Sequence, residues 1–398
     1  MSTVGTEIEL STDAVAVGGD AVGRDTDGRV VFVSGALAGE RARVRLRTVK
    51  KRFAHADLVE VLDPAPGRIE PRCPHVDRGC GGCGWAHLDP SAQRLAKVDM
   101  VAESLARLGG LDQPSVRPGP VLAGTAFRTT IRAAVIDERG GYRMASSDQR
   151  LAVDSCRVAH PLVEEMLIDG RFDGADEAVL RAGARTGERL ARVSPTANDV
   201  TVPDDVLVVG ADELAAGRRA WIHEEVSGIR FRISADSFFQ IRPDGAEALV
   251  DAVAAAVEGA PPGAPMVDLY CGVGLFAATV GADRPVVAVE ASRAAVADAR
   301  HNLNGQEAKV IRAGVERWRP SPAEIVVADP PRTGLGRDGA AKVDATGAHH
   351  LALVSCDAAA LGRDAALLVG QGWTLEWAQL VDLFVDTPHV EVVACFTR

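Results

Sequence analysis

The last third of the chain alternates short apolar segments with helix-like segments, and this alternation limits the possible folds more than any other feature. Apolar runs end near residues 269, 289, 328 and 354, and helix-like stretches separate them. When helices separate successive strands, the strands line up in parallel and the helices cover both faces of the sheet. We therefore predict a parallel, doubly wound α/β domain over residues 246–398.

A single cysteine occupies the position in this domain where ligand chemistry is expected. Cys356 follows the apolar run 351–354 and precedes the helix-like segment 357–369. In open α/β sheets, ligands bind beyond the carboxyl ends of the strands. A lone cysteine is most often a buried apolar residue, but the segments around this one are hard to explain by packing alone.

Two other strand ends of the same domain carry acidic groups. The apolar run 325–328 ends in the turn Asp329-Pro330-Pro331-Arg332, and the chain closes on His389-Val390-Glu391. A thiol, an acidic proline turn and a late carboxylate, each at a strand edge, indicate an enzyme rather than a scaffold.

A glycine turn in this domain predicts a cofactor site. The strand 267–270 leads through Gly272 and Gly274 into a helix start, so the backbone can approach a ligand at the helix N-terminus. Glu290 ends the next strand, where it can accept hydrogen bonds from ribose hydroxyls. The same pattern satisfies the dinucleotide fingerprint, but the proline turn at 329–332 resembles that of methyltransferases acting on nucleobases.

The first part of the chain has a different pattern. At 398 residues the chain is long enough for two or three domains. Residues 1–62 are short strand-like segments with Gly and Asp turns, which favour a small barrel of the oligonucleotide-binding kind. The proline- and glycine-rich segment 64–67 indicates a boundary near this point. We take residues 63–245 as an α+β central region, with a predicted helix from about Ser91 to Leu108.

Four cysteines of the central region indicate a metal site. Cys73, Cys80 and Cys83 lie in one glycine-rich loop, and Cys156 is the best candidate for a fourth ligand. Four thiolates suit either tetrahedral zinc or a four-iron cluster. Three local cysteines and one distant one favour iron–sulfur over the paired knuckles of zinc sites.

The charge pattern suggests a local surface for nucleic acid. A net charge of −11 argues against indiscriminate nucleic-acid binding but permits one basic face. Arg41, Arg43, Arg45 and Arg47 alternate with smaller residues, so strand geometry places all four on one side. An ordinary solvated face usually mixes signs, and a row of one sign favours a phosphate track.

The chain also carries signals on its location. The N-terminus lacks the pattern of a signal peptide, and no apolar stretch is long enough to span a bilayer. The sequence thus predicts a cytoplasmic protein with no membrane contact, in which the seven cysteines are not structural disulfides. No obligate protein partner is evident.

Taken together, these segments resemble the RNA uridine-5-methyltransferase family, and most closely its bacterial 23S rRNA branch. That branch carries a TRAM domain and a [4Fe-4S] cluster. The likeness covers nearly the whole chain, and it rests on the cysteine set, Phe238-Phe239-Gln240, Asp268 to Gly272, Asp329 to Arg332, Ser355-Cys356-Asp357 and His389-Val390-Glu391.

The resemblance implies a fold, two cofactors and a set of site residues. It implies a Rossmann-like class I methyltransferase domain (246–398), preceded by an OB-like TRAM barrel (1–62) and an α+β central domain with an iron–sulfur loop (63–245). S-adenosylmethionine would contact Gln240, Tyr270, Glu290 and Asp329. The [4Fe-4S] cluster would be held by Cys73, Cys80, Cys83 and Cys156.

The resemblance also implies a mechanism and a partner. Cys356 would add to C6 of a uracil base, and Glu391 would later remove the proton from C5. The partner would be RNA, with rRNA expected and tRNA possible, and the target base would leave its stack to be reached.

Three other functions remain open from the sequence. An RNA cytosine-5 methyltransferase should carry a cysteine in the proline turn, where this chain has Arg332. A nicotinamide- or iron–sulfur-dependent oxidoreductase would be separated by a cofactor-binding assay. A non-catalytic iron–sulfur RNA-binding or redox-sensing protein would not require Cys356 and Glu391 together.

Overall fold

A closed five-stranded barrel forms the N-terminal part of the chain in a computed structural model that describes residues 3–145 and 147–398. Its strands follow the order β1-β2-β3-β5-β4, and β4 closes the barrel against β1. The strands are β1 (Glu7–Val15), β2 (Ala21–Arg24), β3 (Val30–Ser34), β4 (Arg41–Val49) and β5 (Phe53–Asp63). Residues 1 and 2 of the predicted barrel lie outside the described residues.

The barrel confirms the predicted fold of this region, including the alternation along β4. Ala42, Val44 and Leu46 are buried in the barrel core, and the arginines between them face outwards. Strand β2 offers little signal in the sequence, because its four residues include a glycine.

The central region contains both helices and strands, as predicted. Its helix α1 spans Pro90–Arg107 and is capped by Asp89, whose carboxylate accepts hydrogen bonds from the backbone of Ser91 and Ala92. The other elements are β6 (Val116–Pro118), β7 (Thr130–Ile136), β8 (Arg139–Arg143), β9 (Arg150–Ala152), α2 (Pro161–Asp169), β10 (Arg171–Asp173), β11 (Glu177–Ala182), β12 (Arg189–Ser194), β13 (Asp199–Thr201), β14 (Val206–Gly210), α3 (Ala211–Ala215), β15 (Trp221–Val226) and β16 (Ile229–Ser234).

All of these central strands except β6 form three sheets. Six of them make one sheet in the order β14-β12-β11-β7-β8-β9, and the pairs β10-β13 and β15-β16 make two small ones. Helix α2 packs its buried residues Val163, Met166 and Leu167 into the core beneath the six-stranded sheet.

The C-terminal part is an eight-stranded sheet with helices on both faces. The strand order is β19-β18-β17-β20-β21-β23-β22-β6. The elements from residue 243 onwards are α4 (Pro243–Ala256), β17 (Met266–Leu269), α5 (Leu275–Ala278), β18 (Val286–Glu290), α6 (Arg293–Asn302), β19 (Ala308–Arg312), a 3₁₀ turn (Val315–Arg317), β20 (Ile325–Ala328), α7 (Gly336–Asp344), β21 (His350–Ser355), α8 (Ala358–Val369), β22 (Thr374–Leu380) and β23 (Val392–Thr397).

The central strands of this sheet are apolar throughout because both of their faces are covered. In β17, Met266 packs into one core cluster, whereas Val267 and Leu269 pack into the cluster on the other face. This burial on both sides explains the continuous apolar runs on which the prediction rested.

The sheet is not wholly parallel, and in this respect the prediction was wrong. The last strand, β23, runs antiparallel to both of its neighbours, β21 and β22. The reason is that no helix separates β22 from β23, so the loop 381–391 turns the chain directly back along the sheet.

The edge strand β6 and helix α1 come from the middle of the chain but belong physically to this sheet. Val116 of β6 pairs with Ala378 of β22, and Val101 and Leu105 of α1 lie in the same apolar cluster as Val267. The division into 1–62, 63–245 and 246–398 stays a prediction.

The strand order reverses beside β17. The chain proceeds from β17 to β18 and β19 on one side and then returns to β20 on the other. Ligands of doubly wound sheets bind at such a reversal, outside the carboxyl ends of the strands. None of the helices in the described ranges combines the length and apolar character that a membrane crossing requires.

Candidate active site

A cavity of about 690 Å³ opens at the carboxyl ends of β17, β18, β20 and β21. All six residues predicted for catalysis and cofactor binding line it, although they span residues 240 to 391. They are Gln240, Tyr270, Glu290, Asp329, Cys356 and Glu391.

The loop after β17 bends sharply at one end of this cavity. Tyr270, Gly272 and Gly274 all have positive φ angles, of 60°, 54° and 91°. A glycine adopts such a conformation without steric cost, whereas Tyr270 is strained. The loop holds Glu290 in place, because the amides of Gly272 and Ser292 donate to its two carboxylate oxygens at 3.1 and 2.6 Å.

A buried carboxyl group supports the same loop from below. Asp268 accepts a hydrogen bond from the Ala277 amide at 3.0 Å, and its other oxygen has no partner among the described residues. Complete burial raises the pKa of Asp268 well above its usual value. A strained glycine loop, an anchored acid at the next strand and an unsatisfied polar atom fit a site that holds a polar cofactor.

Cys356 and Glu391 face the same cavity from neighbouring strand ends. Cys356 directly follows β21, and Glu391 directly precedes β23, which pairs with β21. Burial, reinforced by the charges of Glu391 and Asp329, raises the pKa of the Cys356 thiol to about 11. Arg332 lies close enough to oppose this shift.

The two carboxyl groups of the site, buried Glu391 and half-buried Asp329, also hold their protons unusually strongly. Burial, together with the nearby Asp329, raises the pKa of Glu391 well above its usual value, and Arg332 again opposes the shift. Burial raises the pKa of Asp329 to about 7. Such shifts concentrate at sites where groups exchange protons.

Gln240 is held at the cavity wall by the central region. Its neighbour Ile241 accepts two hydrogen bonds through its carbonyl, from the amide and the hydroxyl of Thr129 at 2.7 and 2.9 Å. Phe239 is buried beside Gln240, whereas Phe238 is 66% exposed and also lines the cavity. The segment therefore presents one amide and one free aromatic face.

Sequence reasoning gave no role to three further residues of the cavity. The positive charge of Arg332 acts on Cys356 and Glu391, Phe238 offers an exposed ring, and His389 lies two residues before Glu391. Burial and then the positive charge of Arg332 lower the pKa of His389. All three residues lie within motifs that the sequence analysis singled out for neighbouring residues, and this position was the one sign of a role in the site.

Helix α1 holds the loop that carries Glu391. The Lys97 ammonium group is fully buried and donates to the Asp382 carboxylate at 2.6 Å and to the Phe384 carbonyl at 3.0 Å. Gln93 and Asp386 exchange two hydrogen bonds, at 3.0 and 2.9 Å. The loop 381–391 is thus fixed by polar side chains from a distant part of the sequence.

The four cysteines predicted as metal ligands line a second, smaller cavity of about 40 Å³. Burial and then the charges of the other thiols raise the pKa of Cys80, and burial and then Asp386 raise that of Cys83 to about 12. Cys156 lies 3.1 Å from the Tyr142 hydroxyl. The structure therefore brings the predicted set together, although in the described residues no three such side chains have a metal-holding arrangement.

The row of four arginines on β4 does not form the single-sign face that the sequence predicted. Each arginine lies against carboxylates of the neighbouring strands, and Arg43 bonds Glu60 at 2.7 Å while Arg45 bonds Glu7 at 2.6 Å. Arg41 and Arg47 are paired in the same way. The alternation of residues along β4 does not reveal which charged residues β1 and β5 place beside its arginines. In the folded barrel this face therefore carries both positive and negative charges.

Comparisons with known proteins agree with this geometry. Residues 1–59 match the TRAM domain model. The chain is 36% identical to an RNA methyltransferase of Streptomyces coelicolor over 99% of this chain and 93% of that protein. It is 32% identical to the 23S rRNA (uracil(1939)-C(5))-methyltransferase RlmD of Thiobacillus denitrificans, over 94% of this chain and 95% of that protein.

A solved structure shares the whole architecture. The Pyrococcus abyssi tRNA (uracil-54, C5)-methyltransferase in complex with S-adenosyl-L-homocysteine superposes with a TM-score of 0.77. The match covers 98% of this chain and 100% of that one at 22% identity, so it shows a common fold.

Proposed function

Since the chain belongs to the RNA methyltransferase family, we propose that it transfers a methyl group to C5 of a uridine in RNA, with 23S rRNA as the substrate. The observation that carries this proposal is the shared cavity, which joins Cys356 and Glu391 to the four predicted cofactor contacts. The 23S rRNA relative supports the choice of substrate.

The chemistry requires the thiol because C5 of uracil is a poor nucleophile. The Cys356 thiolate adds to C6, and the electron pair of the C5–C6 double bond moves towards the C4 carbonyl to give an enolate. S-adenosylmethionine supplies an electrophilic methyl group on a positively charged sulfur. C5 of the enolate then attacks that methyl group, so the new C–C bond forms as the S–CH3 bond breaks and the sulfur leaves as the neutral thioether of S-adenosylhomocysteine.

Glu391 completes the reaction as the general base. It takes the proton from C5, the double bond re-forms, and the bond between C6 and the Cys356 sulfur breaks to restore the thiolate. A carboxylate with a raised pKa is a stronger base once ionised, so the buried position of Glu391 suits this step. Arg332 is the cation that stabilises both ionised groups.

The remaining residues of the cavity would position cofactor and base. Glu290, held by two backbone amides, is oriented for the ribose of the cofactor, and Tyr270, Gln240 and Asp329 line the same space. A uridine must leave its stack to reach Cys356. The exposed ring of Phe238 offers a surface on which such a base can stack.

The cysteine cavity would hold a [4Fe-4S] cluster on Cys73, Cys80, Cys83 and Cys156. The support is the donor set itself, since four thiols from two distant segments line one enclosed space. A bound cluster would supply the positive charge that keeps the four sulfurs ionised, and it would tie the two segments together. Zinc is the competing occupant of the same donors.

The experiment that tests the function compares two variants on substrate RNA. Cys356→Ala should bind RNA and cofactor yet form no covalent complex, because C5 is never activated. Glu391→Gln should add to the base and transfer the methyl group, but release should stall for want of a base. A methylated RNA–protein complex should then survive denaturing electrophoresis.

Controls decide how a negative result is read. Cys395→Ala removes a thiol outside the cavity and should leave turnover intact. If folded Glu391→Gln binds the cofactor but gives no stable complex, Glu391 is not the base. Mapping of 5-methyluridine in rRNA and tRNA from cells with and without the gene identifies the substrate, and no difference in either RNA would refute the proposed function.

A further inference from the structure

A second large concavity, also of about 690 Å³, adjoins the active cavity and is lined by arginines. We call it the arginine groove, and its basic residues are Arg218, Arg219, Arg293, Arg300 and Arg312. They come from the segment before β15, from helix α6 and from the end of β19. Three separate elements thus direct guanidinium groups into one space.

The positive charge of the groove is largely uncompensated. Arg218 is paired with Glu213 at 2.6 Å, but no ion pair is found within the described ranges for Arg219, Arg293, Arg300 or Arg312. The one carboxylate in the lining, Asp236, is already paired with Arg192 at 2.9 Å. The groove thus gathers four arginines without an ion pair among the described residues, in a chain whose net charge is −11.

The groove is continuous with the active cavity. Asp236 and Ser292 line both spaces. One chain segment joins them, since Ser234 to Asp236 faces the groove and Phe238 to Gln240 faces the active cavity. A strand that places one base in the active cavity would therefore lay its neighbouring nucleotides along the arginines.

Helix α6 adds to the attraction for anions. Arg293 and Arg300 lie seven positions apart, which places them about two turns apart along one face of the helix. The helix begins at Ser292, at the border of the two spaces, so its partial positive charge faces the same region. Arginine suits phosphate because its planar group donates two parallel hydrogen bonds.

We infer that the arginine groove binds the phosphate backbone of the RNA nucleotides that flank the target uridine. The inference rests on the proposed function, because it assumes an RNA substrate. The four arginines of the groove that lack an ion pair exceed what a single phosphate ion needs, and the continuity of the groove with the active cavity favours a polymer.

The test compares two triple variants that remove the same charge. One is Arg219→Ala/Arg293→Ala/Arg300→Ala in the groove. The other is Arg43→Ala/Arg45→Ala/Arg47→Ala on β4, where the arginines are already paired. RNA affinity is measured against salt concentration with an oligonucleotide that contains the target uridine.

The groove triple should reduce the slope of log affinity against log salt by about 2, because each phosphate contact to a single strand contributes about 0.7. Its KM for RNA should rise at least tenfold, while the KM for S-adenosylmethionine stays unchanged. The β4 triple should change the slope by less than half of the change that the groove triple causes. A groove variant with the same three arginines replaced by lysine should recover most of the RNA affinity.

The outcomes separate this inference from the proposed function. If the wild-type protein neither binds nor methylates RNA, the proposed function fails. If the wild-type protein methylates RNA and the folded groove triple keeps its slope and KM, the inference is overturned. Binding of inorganic phosphate in the groove, without any change in the RNA slope of the triple variant, would likewise overturn it.

Discussion

Replacing Asp329 by Asn should change the pH dependence of stability as well as cofactor binding. The Asp329 carboxyl is half-buried in the wall of the cavity, and burial raises its pKa from 3.8 to about 7. Between these two pH values the folded protein keeps a proton that the unfolded chain has released. Stability that is present below pH 3.8 is therefore lost as the pH rises towards 7.

The size of this loss follows from the shift. A difference of about 3 pKa units, at about 1.4 kcal/mol each, corresponds to at most about 4 kcal/mol. Asparagine resembles the protonated acid in shape and has no proton to lose. Asp329→Asn should thus match the wild-type protein near pH 4 and become increasingly more stable than it up to pH 7.

The assay is chemical unfolding of both proteins at four pH values from 4.5 to 8, followed by fluorescence. Asp338→Asn on the exposed face of α7 removes one carboxylate without burial and serves as the control. A difference between Asp329→Asn and wild type that stays constant over this pH range would refute the reasoning. The same variant should bind S-adenosylmethionine more weakly.

Two further variants test the supports of the site. Lys97→Met should lower the free energy of unfolding by about 3 to 5 kcal/mol, since it leaves the Asp382 charge buried without its partner. Chemical unfolding measures this loss, and the double variant Lys97→Met/Asp382→Leu should recover most of it. Protein purified without oxygen should be brown and contain iron, and Cys80→Ser or Cys83→Ser should remove both. Stoichiometric zinc without iron in that preparation would contradict the cluster proposal.

The sequence predicted the central strands of the sheet because those strands follow a local pattern. Strands buried on two faces must be apolar throughout, so β17, β20 and β21 stood out as short runs. The candidate catalytic groups follow those strands directly. Cys356 after β21 and Asp329 after β20 were therefore placed at one edge of the sheet without any knowledge of distances.

The features that the sequence did not predict depend on contacts between distant segments. The pairing of β6 with β22 joins residues 116 and 378, and no periodicity along the chain signals it. The β4 arginines were misjudged because their carboxylate partners lie on β1 and β5. The arginine groove combines three segments whose separate compositions are ordinary.

One residue of the loop 381–391 connects the cysteine cavity with the segment that carries Glu391. Asp386 lines the cysteine cavity, bonds Arg157 at 3.2 Å and Gln93 at 3.0 Å, and lies five residues before Glu391. A disturbance of the cysteine cavity can therefore reach Glu391, the proposed general base, through a short segment of the loop. Cysteine variants will depress turnover without touching substrate, so activity alone is an ambiguous reporter of what the cysteines do.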